Sequence, residues 1–195
     1  MTATPAEQGR ALIARPPVLI VPGWGNSGPG HWQTLWQAEE PDWIRVMQRD
    51  WERPGTVAWL AALDERVSEC RSRPVLVGHS LGAIAIAKWA AIRKGLAAGA
   101  FLVAPPDVEA FKCPSELRPF APIPRRPITF PVHVVASHDD PYVTPARAAE
   151  FARLWGATYT DIGDAGHINP DSGHGAWPEG RALLDELLAR VAARA

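Results

Sequence analysis

Pro74-Val75-Leu76-Val77-Gly78-His79-Ser80-Leu81-Gly82-Ala83-Ile84-Ala85 decides the fold. A short apolar, valine-rich run ends at Gly78, and a Gly-x-Ser-x-Gly leads into an Ala/Ile-rich stretch. The pattern predicts a strand, a very tight turn and a helix, with one hydroxyl at the apex. Gly78 and Gly82 flank a place where two backbones come close, and a Cβ at either would clash. Strain at the apex lifts the Ser80 Oγ clear of the sheet. It also leaves the Leu81 N–H unpaired at a helix N-terminus, where negative charge is favoured.

Outward from this stretch, apolar runs alternate with helical patterns. Pro17–Val21 reads as a strand buried on both faces, followed by the glycine-rich loop Pro22–Gly30. Trp32, Leu35 and Trp36 share one helical face, and Pro41 ends that helix. Trp43–Gln48 is a second strand, and Thr56 is placed to cap a helix carrying Leu60, Leu63 and Val67. The helix after the elbow runs to about Lys94, with Gly95 as its stop. Gly99–Ala104, Val132–Ala136 and Ala157–Ile162 are strands four to six. Thr144-Pro145 opens a helix that Gly156 closes, and Pro178 begins an amphipathic C-terminal helix. The alternation predicts an α/β fold, a three-layer αβα sandwich around a mostly parallel six-stranded sheet of order 2-1-3-4-5-6. The topological switch then falls between strands one and three, where such sheets place ligands.

A chain of 195 residues fits a single domain over 1–195, with a loose leader at 1–16. Residues 105–130 form a Pro-rich loop or small lid, because eight of the 20 prolines lie in Pro105–Pro131. A net charge of −1 and no basic run argue against a nucleic-acid partner. No apolar run is long enough for a membrane span and no signal peptide is visible, so a cytoplasmic protein is expected. Cys70 and Cys113 lack any zinc or redox spacing and read as thiols rather than a bridge.

A serine nucleophile needs a base, and the base needs an orienting carboxylate. Ser137-His138-Asp139-Asp140-Pro141-Tyr142 follows strand five, and Asp164-Ala165-Gly166-His167 follows strand six. Asp140 lies deeper in its turn than Asp139 and is preferred as the acid, with Asp139 as a solvated neighbour or turn former. His167, in a loop just past a strand, is preferred as the base. Among the other histidines, His79 reads as packed beside the strand and His133 as core. His138 is a rival or support near the acid turn, and His174 is solvated. His31 faces the pocket mouth or caps its helix. A metal site of His138, Asp140, His167 and His174 lacks HxxxH or HxE spacing, so no metal is expected. An oxyanion hole needs two convergent N–H donors, which Leu81 and Trp24 would supply. Trp24, Trp32, Trp51, Trp177, Tyr142, Phe111 and Phe120 either line an apolar acyl pocket or pack the core.

Val21-Pro22-Gly23-Trp24-Gly25-Asn26-Ser27, His31-Trp32, Gly78–Gly82, Asp139-Asp140-Pro141 and Gly166-His167 together resemble the small serine α/β-hydrolases. These are typified by the human retinoblastoma-binding serine hydrolase and its bacterial relatives. The resemblance runs from about residue 17 to the C-terminus. It implies a Ser80–Asp140–His167 triad, no cofactor, and a minimal α/β-hydrolase sheet lacking the first two strands of larger relatives. The expected activity is hydrolysis of small or medium acyl esters through an acyl-serine, with His31, Trp32 and Tyr142 touching a small-molecule acyl substrate. Two alternatives remain at this level: acyl transfer to another acceptor, or a protein-binding module with a dormant site whose partner the sequence does not identify.

Overall fold

The computed structural model describes residues 15–194, so most of the leader expected at 1–16 lies outside the described residues. Six strands form one parallel sheet of order β2-β1-β3-β4-β5-β6. They are β1 (Val18–Val21), β2 (Ile44–Arg45), β3 (Val75–His79), β4 (Gly99–Val103), β5 (Val132–Ala136) and β6 (Thr158–Asp161). Helices cover both faces: α1 (Trp32–Glu39), α2 (Thr56–Glu69), α3 (Leu81–Ile92), α4 (Pro145–Trp155) and α5 (Pro178–Ala192).

Alternation along the central strands divides the core in two. Val18 and Ile20 of β1 and Val75 and Val77 of β3 face a layer holding Trp32, Trp36, Leu184 and Leu187 of α1 and α5. Leu19, Val21 and Leu76 face Trp59, Leu63, Ile86, Phe151 and Trp155 of α2, α3 and α4. The four central strands are buried on both sides, which is why their sequences read as continuous apolar runs.

Several boundaries differ from the sequence expectation. β2 is two residues long rather than six, although the Val46 N–H still bonds to Ile20 O at 2.8 Å. Thr56 does not cap α2. Gly55 holds that place, and the Thr56 hydroxyl donates to Pro119 O at 2.6 Å, tying α2 to the Pro-rich stretch. α3 stops at Ile92, and Gly95 turns the chain at φ +71°. Thr144, Pro145 and Gly156 cap, open and close α4 as anticipated.

The Pro-rich stretch carries a 3-10 turn at Ser115–Phe120 that buries Leu117 and Phe120. Arg147 of α4 ties it down through Asp107 at 3.0 Å and through Glu109. Both cysteines are free. No helix among the described residues is long and apolar enough to cross a membrane.

Candidate active site

The register of β1 against β3 pairs Val21 with Gly78, so the loop after β1 runs beside the turn at Ser80. Ser80 sits at φ 52°, ψ −126°, a conformation side chains rarely adopt. A Cβ on Gly82 would lie 2.1 Å from Val21 O, so only glycine lets α3 start this close to β1. The Ser80 N–H bonds to Val103 O and its carbonyl accepts from Ala83 N–H, which fixes the apex from both sides. The Leu81 N–H finds no acceptor among the described residues, as expected at a helix start.

Gly23 makes the second close approach. A Cβ there would fall 2.8 Å from Ser80 Cβ and 3.4 Å from the Leu81 nitrogen. Trp24 therefore follows directly on a backbone pressed against the elbow. Its indole donates to Glu52 O at 2.9 Å, while its main-chain N–H is unpaired among the described residues. Gly25 and Asn26 N–H groups are spent on Trp51 O and Gly23 O. Two free donors thus flank Ser80.

The two acids separate by role. The Asp140 side chain is fully buried and both its oxygens face His167 Nδ1, at 3.0 and 2.9 Å. Its Oδ1 also accepts the Tyr142 N–H at 2.8 Å. His167 Nε2 lies 2.8 Å from the Ser80 Oγ. Asp139 reaches past the imidazole to its loop, where Oδ1 accepts the Gly166 N–H at 2.6 Å. That bond holds the Asp139 carboxyl below its ordinary range. The Ser137 hydroxyl donates to Gly166 O at 2.5 Å. These clamps hold a loop in which Gly166 and Ile168 both have positive φ, 54° and 50°.

A cleft of about 360 Å³ opens over Ser80. Trp24, His31, Leu117, Tyr142 and His167 are among its walls, so the Pro-rich stretch contributes through Leu117. Tyr142 packs edge-on against His167, ring centres 4.5 Å apart. Trp32 does not reach the cleft, contrary to the expectation of a substrate contact. It is wholly buried, and its indole donates to Ile168 O at 3.0 Å. Helical periodicity turns it inward onto Trp36 and Trp177. Phe111 is 92% exposed, and Phe120 packs on Trp59, so neither lines the site.

His31 both caps α1, accepting the Gln33 N–H at 3.1 Å, and lines the cleft. Its other ring nitrogen meets His79 Nδ1 at 3.3 Å. His79 is not merely packed beside its strand, since its Nε2 meets the His167 carbonyl at 2.9 Å. Nothing in the sequence pattern marks that pairing across 88 residues. Burial lowers the His31 pKa to about 3, helped by the charge of Arg45. Burial likewise pushes His79 well below the ordinary imidazole value. His133 bonds Thr160 on β6 at 2.9 Å, and burial lowers its pKa too. His138 pairs with Asp161 at 2.5 Å, and His174 meets Ser172 at 3.2 Å. Among the described residues no three His, Cys, Asp or Glu side chains converge as a metal site.

An all-parallel sheet with a Gly-x-Ser-x-Gly elbow at its switch point is the architecture of the α/β-hydrolases. The serine hydrolase family profile matches residues 18–186, and the chain belongs to that family. A protein described as a YdeN-like hydrolase from Pectobacterium atrosepticum is 32% identical, with a TM-score of 0.83 over 92% of this chain and 94% of that one. The ydeN gene product of B. subtilis, 20% identical, shares the fold at a TM-score of 0.73 over 89% and 99% of the two chains. A Bacillus cereus carboxylesterase, 15% identical, shares it at 0.61 over 95% and 98%. No curated protein matches the chain.

Proposed function

We propose that this serine hydrolase cleaves small or medium acyl esters through an acyl-serine at Ser80. Ser80 Oγ attacks the ester carbonyl while His167 Nε2 takes its proton. Asp140 holds the Nδ1–H tautomer and stabilises the imidazolium that forms. The N–H groups of Leu81 and Trp24 receive the developing oxyanion; removing one such donor typically costs about 10² to 10³ in rate. The imidazolium returns its proton to the departing alcohol. Water, deprotonated by the same imidazole, then releases the acid and restores Ser80.

One observation carries the reading: the unbroken row from the Asp140 carboxylate through His167 to Ser80 Oγ, with contacts of 2.9 and 2.8 Å. The size of the acyl group is argued from the cleft, whose 360 Å³ lies at the small end of ligand sites. The test is a fluorophosphonate probe with mass mapping, followed by a chain-length series of p-nitrophenyl esters. Labelling at Ser80, abolished in Ser80→Ala, and a preference for shorter chains are expected. A folded protein that leaves Ser80 unlabelled overturns the proposal.

A further inference from the structure

The His31–His79 pair borders the cleft over Ser80 and has no part in the steps above. Its hydrogen bonds allow one arrangement of protons. The His167 carbonyl can only accept, so His79 Nε2 must carry the hydrogen across the 2.9 Å contact. A neutral His79 then has a bare Nδ1, which must accept. Its partner 3.3 Å away, His31 Nε2, must therefore donate. That leaves His31 Nδ1 bare, and it accepts the Gln33 N–H at 3.1 Å. A proton added to either ring would set two N–H groups against each other, in keeping with the depressed basicity of both.

We propose that His79 is a positioning residue: it donates to the backbone carbonyl of His167, and His31, anchored on the α1 cap, fixes the tautomer that lets it do so. The proposal rests on the assignment of His167 as the base. The consequence is mechanical. The carbonyl belongs to the residue whose imidazole must stay 2.8 Å from Ser80 Oγ, in a loop where Ile168 takes a strained φ of 50°. Asp139 holds the near side of that loop at Gly166, Trp32 holds Ile168 O, and His79 holds the residue between them. Loss of the His79 donor leaves a partly buried carbonyl without that partner and the imidazole free to drift. A misplacement of about 1 Å can cost on the order of 10²-fold in rate.

Two measurements test this on the full chain. Nitrogen-15 NMR of histidine-labelled wild-type protein should show His79 and His31 both protonated at Nε2 and bare at Nδ1 at neutral pH. His79 protonated at Nδ1 instead overturns the proposal whatever the activity. Kinetically, His79→Leu removes the donor, and His79→Gln returns an N–H close to the Nε2 position. Expected is a kcat loss of about 10- to 100-fold in His79→Leu with KM little changed, and recovery of most of kcat in His79→Gln. Equal kcat losses in both variants, or an unchanged kcat in a folded His79→Leu, overturn the proposal. If His79→Leu does not fold, His79→Gln and the tautomer measurement still decide. Wild-type labelling of Ser80 by fluorophosphonate separates the two readings. Its absence refutes the catalytic assignment, while labelling at an undiminished rate in His79→Leu refutes only the positioning role.

Discussion

Asp140→Asn changes one atom of the row and should disable it by reversing a tautomer. Asp140 Oδ1 accepts the Tyr142 N–H at 2.8 Å, and an asparagine must keep its oxygen there or bury an unpaired donor. Its NH₂ then occupies the Oδ2 place, 2.9 Å from His167 Nδ1. That NH₂ aims a hydrogen at Nδ1 and competes with the Nδ1–H contact to Oδ1 at 3.0 Å, favouring the tautomer whose proton sits on Nε2 and faces Ser80 Oγ across 2.8 Å. The base is then blocked by its own hydrogen. The same substitution in a serine protease triad costs about 10⁴ in kcat, equivalent to about 5 kcal/mol of barrier, and a loss of that order is expected here. The assay is kcat for p-nitrophenyl ester hydrolysis, normalised to the fraction of sites titrated by fluorophosphonate. The neighbouring acid is the control. Asp139 Oδ1 accepts the Gly166 N–H at 2.6 Å, which an asparagine oxygen reproduces. Asp139→Asn should lose less than about tenfold. Activity within tenfold of wild type in Asp140→Asn, or equal losses at the two positions, would refute the reasoning.

Trp32→Phe keeps a buried ring and removes the donor to Ile168 O, costing about 1–3 kcal/mol in urea unfolding and lowering kcat. KM should not move, and a change confined to KM would restore Trp32 to the substrate. Acid should weaken the fold through its buried histidines. His31 and His79 have folded pKa values below the free imidazole value of 6.5, so the unfolded chain binds more protons below that pH. Their stability contribution is complete above about pH 6.5 and falls as pH drops; for His31 the fall runs toward its folded value of about 3, at on the order of 1 kcal/mol per pH unit. Urea midpoints between pH 6.5 and 4.5 should show a flatter slope in His31→Gln, and parallel slopes would contradict the assignment.

The elbow and the strand order are legible because the strand, turn and helix patterns that set them are local, and the proposed Ser–Asp–His row follows from where those strands end. A Gly-x-Ser-x-Gly after an apolar run specifies strand, turn and helix by sterics, and acid and base turns follow recognisable strands. Asp140 could be preferred over Asp139 from its depth in the turn. The function of Asp139 could not be read, since its partner Gly166 lies 27 residues away without any patterned relation to it. The His31–His79–His167 line was illegible for the same reason. The sequence does not settle Trp32, because a tryptophan beside a loop histidine suits a pocket as well as a core, and only packing against Trp36 and Trp177 decides. The α2 cap departs from expectation because a tertiary bond from the Thr56 hydroxyl to Pro119 O overrides local capping preference.

The backbone at residue 80, at φ 52°, has a thermodynamic corollary. Glycine occupies that region without penalty, whereas a β-carbon there costs on the order of 1 kcal/mol or more. Replacing the whole hydroxymethyl side chain by a hydrogen atom should therefore yield a sturdier, silent molecule. A laboratory screen that rewarded heat resistance alone would drift toward Ser80→Gly, and so toward discarding the hydroxyl that this turn presents.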